Sequence, residues 1–387
     1  MIYIDNSATT KQYPQVTETM MKYMEEYFGN PSSMYQLGLD SEKAVKHARK
    51  QVEEAMGAGN GTLIFTSGGT EADNTAIFGA ARALRRRGNR IITSAVEHPA
   101  VLECCKRLEQ DGYDVVYVGV DDKCRLDLER LEDAIDENTI LVSLMQVNNE
   151  AGTIMPVDAV KDLMKKKNAP GWFHCDAVQS FGKLQVPESA DLISVSSHKI
   201  HGPKGAGALF VRKGIHLPAL IEGGGQEHGN RSGTENVPAI TGFGTAAELS
   251  AKDRDEERQR VSVMRRALLK GLKDNLEDLK INSVEEDGVA SGQCCSSILN
   301  ISFLGTRGEV LLHTLEQDGI YVSTGSACSS NKKGQSHVLG AMGLKDKEIE
   351  GALRFSFGRF NELDEMEIVV DKVTAAVKRF RRLGSFR

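Results

Sequence analysis

No stretch of the 387 residues approaches the roughly eighteen consecutive apolar side chains that a membrane-spanning helix requires. The N-terminal MIYIDNSATT carries Asp5 and no basic residue. It does not read as a secretory signal, and a cytoplasmic protein is expected. No C-x-x-C pair occurs among the seven cysteines, Cys104, Cys105, Cys124, Cys175, Cys294, Cys295 and Cys328, and their number is odd. A disulfide framework and a zinc knuckle are both disfavoured; reduced thiols in a reducing compartment fit better. There is no excess of positive charge. The net charge of -6 argues against a protein that coats nucleic acid. Internal repeats and low-complexity segments are also missing.

What is present is ordinary for a soluble globular protein, with 40% hydrophobic and 26% charged residues. The length allows two or three domains, or one large α/β core with an appended piece. From about residue 60 to 215, short β-rich runs alternate with helical patterns. Strands are expected at Leu63–Thr66, Arg90–Ser94, Tyr113–Val118, Thr139–Val147, Trp172–Cys175, Leu192–Val195 and Ala208–Val211. Helices are expected over Glu71–Arg87, from Pro99, and over Val157–Lys167. Such alternation implies a mostly parallel sheet covered by helices. Beyond Thr234 the pattern becomes less regular. A long charged helical region, about Ala239 to Leu279, reads as a solvated helix face. Ile298–Phe303, Gly308–Gln317, Ile320–Ser323, Leu353–Phe357 and a helix after Asp364 suggest a smaller α+β domain.

Five constellations could carry chemistry. Ser67-Gly68-Gly69-Thr70-Glu71 lies between a strand and a helix, where backbone N–H groups can face a phosphate and Thr70 can add its hydroxyl. It is neither a P-loop nor a G-x-G-x-x-G dinucleotide fingerprint. Ser196-Ser197-His198-Lys199 follows a strand. A lysine there can lose its proton at modest cost and become a Schiff-base nucleophile, whereas Lys204 reads as a surface lysine. Asp176 ends another strand and points toward the crevice where α/β proteins bind ligands. Its carboxylate could hold a pyridine nitrogen protonated, and its plainer role is a helix cap. His98 in Glu97-His98-Pro99 could stack on a flat ring or shuttle a proton, and its plainer role is likewise a cap. The fifth, Ser323-Thr324-Gly325-Ser326-Ala327-Cys328-Ser329-Ser330, surrounds one thiol with small polar residues and is followed by Lys332 and Lys333, which favour the thiolate. Cys104, Cys105 and Cys175 sit in apolar patterns and read as structural.

These pieces, in this order, resemble the cysteine desulfurases of the NifS/IscS type, fold-type-I pyridoxal-phosphate enzymes of the class V aminotransferase family. The likeness runs from Tyr3-Ile4-Asp5-Asn6-Ser7-Ala8-Thr9-Thr10 to Leu353-Arg354-Phe355-Ser356-Phe357-Gly358. It includes S-G-G-T-E-A-D-N, V-N-N-E, S-H-K-I-H-G-P-K-G, R-S-G-T-E-N and T-G-S-A-C-S-S. The resemblance implies an α/β fold with a large mostly parallel domain over residues 15–254. A small domain from 1–14 and 255–387 would carry the Cys328 loop. Lys199 would hold pyridoxal 5'-phosphate as a Schiff base and serve as the base. Asp176 would pair with the ring nitrogen, Gln179 with the ring hydroxyl, and His98 would stack on the ring and relay a proton. Gly69, Thr70, Ser196 and His198 would bind the phosphate. Thr234 would reach the phosphate of a second copy, making a homodimer. Asn149 and Arg354 would hold the carboxylate of L-cysteine. Cys328 would take the sulfur as a persulfide and pass it to an acceptor protein, a cluster scaffold or a tRNA-thiolating enzyme. No metal is implied. The loop after Cys328 and the basic C-terminus depart from the housekeeping pattern, which leaves the acceptor open. Two other readings stay open: a selenocysteine lyase or other class V enzyme, and a non-catalytic sulfur-relay protein.

Overall fold

The structure is a computed structural model that describes residues 1–285, 292–324 and 335–384. Of the segment 323–330, Ser323 and Thr324 are described; Cys328 lies outside the described residues, as do Lys332 and Lys333. Seven strands form the main sheet: β2 (Gly61–Thr66), β3 (Arg90–Ser94), β4 (Asp114–Val118), β5 (Thr139–Met145), β6 (Trp172–Asp176), β7 (Leu192–Ser196) and β8 (Gly207–Arg212). Their order is β2-β8-β7-β6-β5-β3-β4. Only β8 runs antiparallel to its neighbours; the pairs from β7 across to β4 are all parallel. Every residue of β5 and β7 is buried, as expected for interior strands covered on both faces.

Helices fill the connections: α1 (Pro14–Glu25), α2 (Gln36–Met56), α3 (Gly69–Leu84), α4 (Pro99–Gln110), α5 (Leu128–Ala134) and α6 (Val160–Lys166). Then follow α7 (Val237–Lys252) and α8 (Arg254–Asn275). Each strand expected from the sequence around this sheet is present within a few residues. The sequence reading placed no helix before residue 60, yet α1 and α2 pack on α7 there. The buried stripe of α2 is Gly38, Ser41, Ala44, Val45, Ala48, Val52 and Met56, largely small residues that give little hydrophobic signal. The expected helix over 157–167 begins as a 3-10 turn, Val157–Ala159, and continues as α6. The single charged helix expected over 239–279 is two helices meeting at Asp253. It is also not simply a solvated face, because Arg260 donates to the carbonyls of Gly358, Arg359 and Asn361.

A second apolar core joins the two chain ends. Ile2 and Ile4 pack there with Val261, Leu268 and Leu272 of α8, with Leu299, Ile301 and Phe303, and with Val369, Val373 and Val377. Its sheet is antiparallel, β12 (Ala352–Ser356) beside β10 (Ile298–Phe303) beside β9 (Leu279–Ile281), while β1 (Ile2–Tyr3) pairs in parallel with β11 (Ile320–Tyr321). The segment with Val338, Leu339 and Met342 crosses back and packs into the core of the large sheet.

Candidate active site

The carboxyl ends of the parallel strands deliver the sequence-predicted residues to one place. β7 ends at Ser196 and runs into a 3-10 turn, Ser197–Lys199, so Lys199 leaves the sheet at its crevice end. That turn is pinned by the N-terminal segment. Thr10 Oγ1 donates to the His198 carbonyl at 2.9 Å, and the His201 N–H donates to Thr10 Oγ1 at 2.8 Å. His201 holds a left-handed φ of 64°, a conformation costly for a residue with a Cβ and held here by these long-range bonds. The Lys199 ammonium donates to the carbonyls of Ser7 and, at 2.8 Å, Ala8.

Asp176 closes β6, and its Oδ1 accepts the Val178 N–H at 3.0 Å. Burial pushes its carboxyl pKa up; the Val178 N–H and the Lys199 charge oppose the shift. Asp73 of α3 lies beneath it, fully buried and also pushed up, first by burial and then by Asp176. His174 is buried between strands, its Nδ1 2.8 Å from Ser143 Oγ and its Nε2 2.9 Å from Ser194 Oγ. Burial lowers it to about 3, so it is a neutral polar pillar. Glu97 is fully buried and raised to about 8, by burial first, against a 2.5 Å bond from Ser94 Oγ.

His98 takes the cap position of α4, its Nδ1 accepting the Ala100 N–H at 3.2 Å. That bond leaves the Nε2 of the neutral ring to carry hydrogen. Burial, and then the Lys199 charge, lower its pKa to about 4. The capping role weighed from the sequence is thus present, and His98 also shares the electrostatic field of Lys199. His198 is likewise lowered to about 4, by burial and Lys199, with its Nδ1 3.2 Å from Thr9 Oγ1. Gln179 donates from Nε2 to the Ser7 carbonyl at 3.0 Å, the same oxygen that Lys199 uses.

The glycine turn stands where expected. α3 begins at Gly69, with Thr70 exposed in its first turn. Backbone packs closely behind it. A Cβ on Gly207 of β8 would lie 2.6 Å from the Gly68 carbonyl carbon, so only glycine allows that approach. Arg231 brings the Arg-Ser-Gly-Thr loop to the same helix end, its Nε 2.9 Å from Glu71 Oε1. Thr234 is exposed, and among the described residues it makes no hydrogen bond to this cradle.

Arg354 of β12 is 4% exposed. It donates to the Asn149 carbonyl at 2.8 Å and pairs with Asp5 Oδ1 at 2.8 Å, while its Nε has no hydrogen-bond partner among the described residues. The ion pair with Asp5 was not foreseen. Asn149 meets Arg354 through its backbone, not its side chain. Cys104, Cys105 and Cys175 are buried as expected, and burial raises their thiols, Cys104 to about 12. Lys204 is exposed. The sequence reading missed Asp73, His174 and Lys183 as site neighbours, and it gave Glu97 no role of its own. Only the position of Lys183, four residues after Gln179, offered a signal.

The donor set suits pyridoxal phosphate. A lysine amine, a buried carboxylate, a neutral histidine and a glycine-rich helix start with two flanking polar residues converge on one crevice. Such a crevice in a fold of this topology defines a pyridoxal-phosphate enzyme of the aminotransferase type. The model of the aminotransferase class-V family matches residues 2–369, and the chain belongs to that family. Within it, the chain is 40% identical over 386 residues to the cysteine desulfurase IscS of Clostridium botulinum strain Hall, covering 99% of this chain and 96% of that one. A solved NifS-like protein superimposes with a TM-score of 0.89 at 36% identity, covering 98% of this chain and 99% of that one. A solved structure of SspA in complex with cysteine matches with a TM-score of 0.78 at 31% identity, over 92% of this chain and 99% of that one.

Proposed function

We propose that this protein is a pyridoxal-phosphate-dependent cysteine desulfurase. It would convert L-cysteine to L-alanine and leave the sulfur as a persulfide on Cys328. The observation that carries the reading is Lys199 at the end of β7, in the electrostatic field of buried Asp176 and neutral His98. The likeness to IscS of C. botulinum over nearly the whole chain supports the same chemistry. Bound pyridoxal phosphate supplies an electron sink that makes the substrate's Cα–H bond acidic. Lys199 would hold the cofactor, then take the Cα proton and return it. Asp176, ionised, would hold the ring nitrogen protonated, and Gln179 would donate to the ring oxygen. His98 would cover the ring and carry a proton at Nε2. Gly69, Thr70, Ser196 and His198 would bind the phosphate.

Arg354, whose Nε has no partner among the described residues, and Asn149 would orient the substrate carboxylate. The Cys328 thiolate would attack the substrate sulfur. The Cβ–S bond then breaks, a new S–S bond forms on Cys328, and protons on Cβ and Cα complete alanine. The two apolar cores motivate the division into a large domain over 15–254 and a small one from 1–14 and 255–387.

The working unit is a homodimer in this reading. Thr234 is exposed on a loop tied to the cradle helix and would reach the phosphate of the second copy. Residues 21–39 also leave Met24, Phe28, Met34 and Tyr35 exposed, with Met34 94% exposed, an unusual apolar load for a free surface. The enzyme would be cytoplasmic, where its thiols stay reduced, and would hand its sulfur to an acceptor protein. Alanine release from L-cysteine by the reconstituted protein tests the reading. Lys199→Ala should lose the visible chromophore and about a hundred- to ten-thousand-fold of the rate. Wild-type turnover by that variant would overturn it.

A further inference from the structure

Lys183 is a charged group that the reaction above does not use. It follows Gln179 by four residues, lines a cavity of about 920 Å³ that also reaches Lys199, and is partly buried. Burial lowers its ammonium pKa; the nearby Arg354 charge acts the same way and Cys295 opposes it. Among the described residues its hydrogen-bond partner is Gln179 Oε1, at 3.4 Å, and no carboxylate lies within ion-pair distance. A cation taken partly out of water without a counter-charge is costly, so its retention beside the reacting lysine calls for a reason.

Gln179 supplies that reason. Its amide sits between a group that can only donate, the Lys183 ammonium, and a group that can only accept, the Ser7 carbonyl. One orientation alone satisfies both, with Oε1 toward Lys183 and Nε2 toward Ser7. The second hydrogen on Nε2 is then left for another acceptor. Without Lys183 the Ser7 carbonyl alone holds the amide, and a turned-over amide, whose oxygen would repel an anionic ring oxygen, forfeits one bond instead of two. Ser7 ties the arrangement to the reacting group, since its carbonyl also receives Lys199.

We propose that Lys183 is a positioning residue for the cofactor: it fixes the Gln179 amide so that Nε2, not Oε1, faces the ring oxygen. This rests on the reading of Gln179 as the partner of that oxygen. Its consequence is a shift in the titration of the Schiff base to Lys199. When the Schiff-base proton leaves, the negative ring oxygen loses its internal counter-charge and depends more on the Gln179 donor. Loss of the donor therefore holds the proton to higher pH.

The test follows the visible absorption of the reconstituted full chain against pH. Lys183→Met, and Lys183→Gln should the first not fold, should raise the titration midpoint by about one pH unit, a tenfold change in the proton equilibrium. Lys183→Arg should restore the wild-type midpoint. Gln179→Leu should raise it by a similar amount, and the double variant should match Gln179→Leu alone. A wild-type midpoint in the neutral variants overturns the proposal, as do additive shifts in the double variant. If Gln179→Leu itself titrates as wild type, the assignment of Gln179 fails instead. A wild type with no visible chromophore would sink the cofactor reading.

Discussion

Glu97→Gln isolates the cost of a buried carboxyl beside the site. Glu97 is 0% exposed, and Oε1 accepts from Ser94 Oγ at 2.5 Å. Its pKa rises from 4.5 to about 8, through burial first. Below pH 4.5 both the folded and unfolded chains hold the proton. Between 4.5 and about 8 only the folded chain does, so stability falls by about 1.4 kcal/mol for each pH unit across that window. Above about 8 both have lost it and the slope vanishes. The full span corresponds to about 5 kcal/mol, an upper figure. Glutamine mimics the protonated acid and cannot ionise. The variant should therefore match wild type near pH 5 and become progressively more stable than it up to pH 8. Urea unfolding of both proteins from pH 5 to 9 reads this difference directly. Parallel curves over that range, or a wild type that gains on the variant as pH rises, would refute the reasoning.

Three further outcomes follow from the geometry. Gly207→Ala places a Cβ 2.6–2.7 Å from Gly68 backbone atoms and the Val195 carbonyl, so it should cost about 1–3 kcal/mol of stability and weaken cofactor binding. Equilibrium dialysis with pyridoxal phosphate beside a thermal melt would show both. Arg354→Lys loses the fork that spans Asn149 and Asp5, and charge-assisted bonds of about 1.5–3 kcal/mol predict a roughly ten- to hundredfold fall in kcat/KM for L-cysteine. An unchanged kcat/KM would remove Arg354 from substrate binding. Sedimentation should find two copies per particle, and a monomer with full cofactor affinity would contradict the shared site.

The parts legible in the sequence share a physical cause. β5 and β7 are runs dominated by apolar residues, with only Thr139, Ser143, Ser194 and Ser196 polar, because both faces are covered, and such runs stand out without any partner information. Lys199, Asp176 and His98 follow such runs directly, so strand prediction alone puts them at one end of the sheet. α2 was hidden because its buried face is built on glycine, serine and alanine. The break at Asp253 carries no proline or glycine to announce it. The contacts of Lys199 with Ser7 and Ala8 span about 190 residues, and those of Arg354 with Asp5 nearly 350. Nothing local encodes them. The buried pair of Asp73 with His174 was hidden for the same reason, since one lies on α3 and the other on β6.

The most direct test of the central claim is a single turnover with L-cysteine, followed by alkylation and peptide mass analysis. The account predicts one alanine released per site and one extra sulfur on the peptide that contains Cys328, with Cys328→Ser keeping the yellow cofactor while releasing almost no alanine. Extra sulfur on Cys104, Cys105 or Cys175, or normal alanine release by Cys328→Ser, would contradict it.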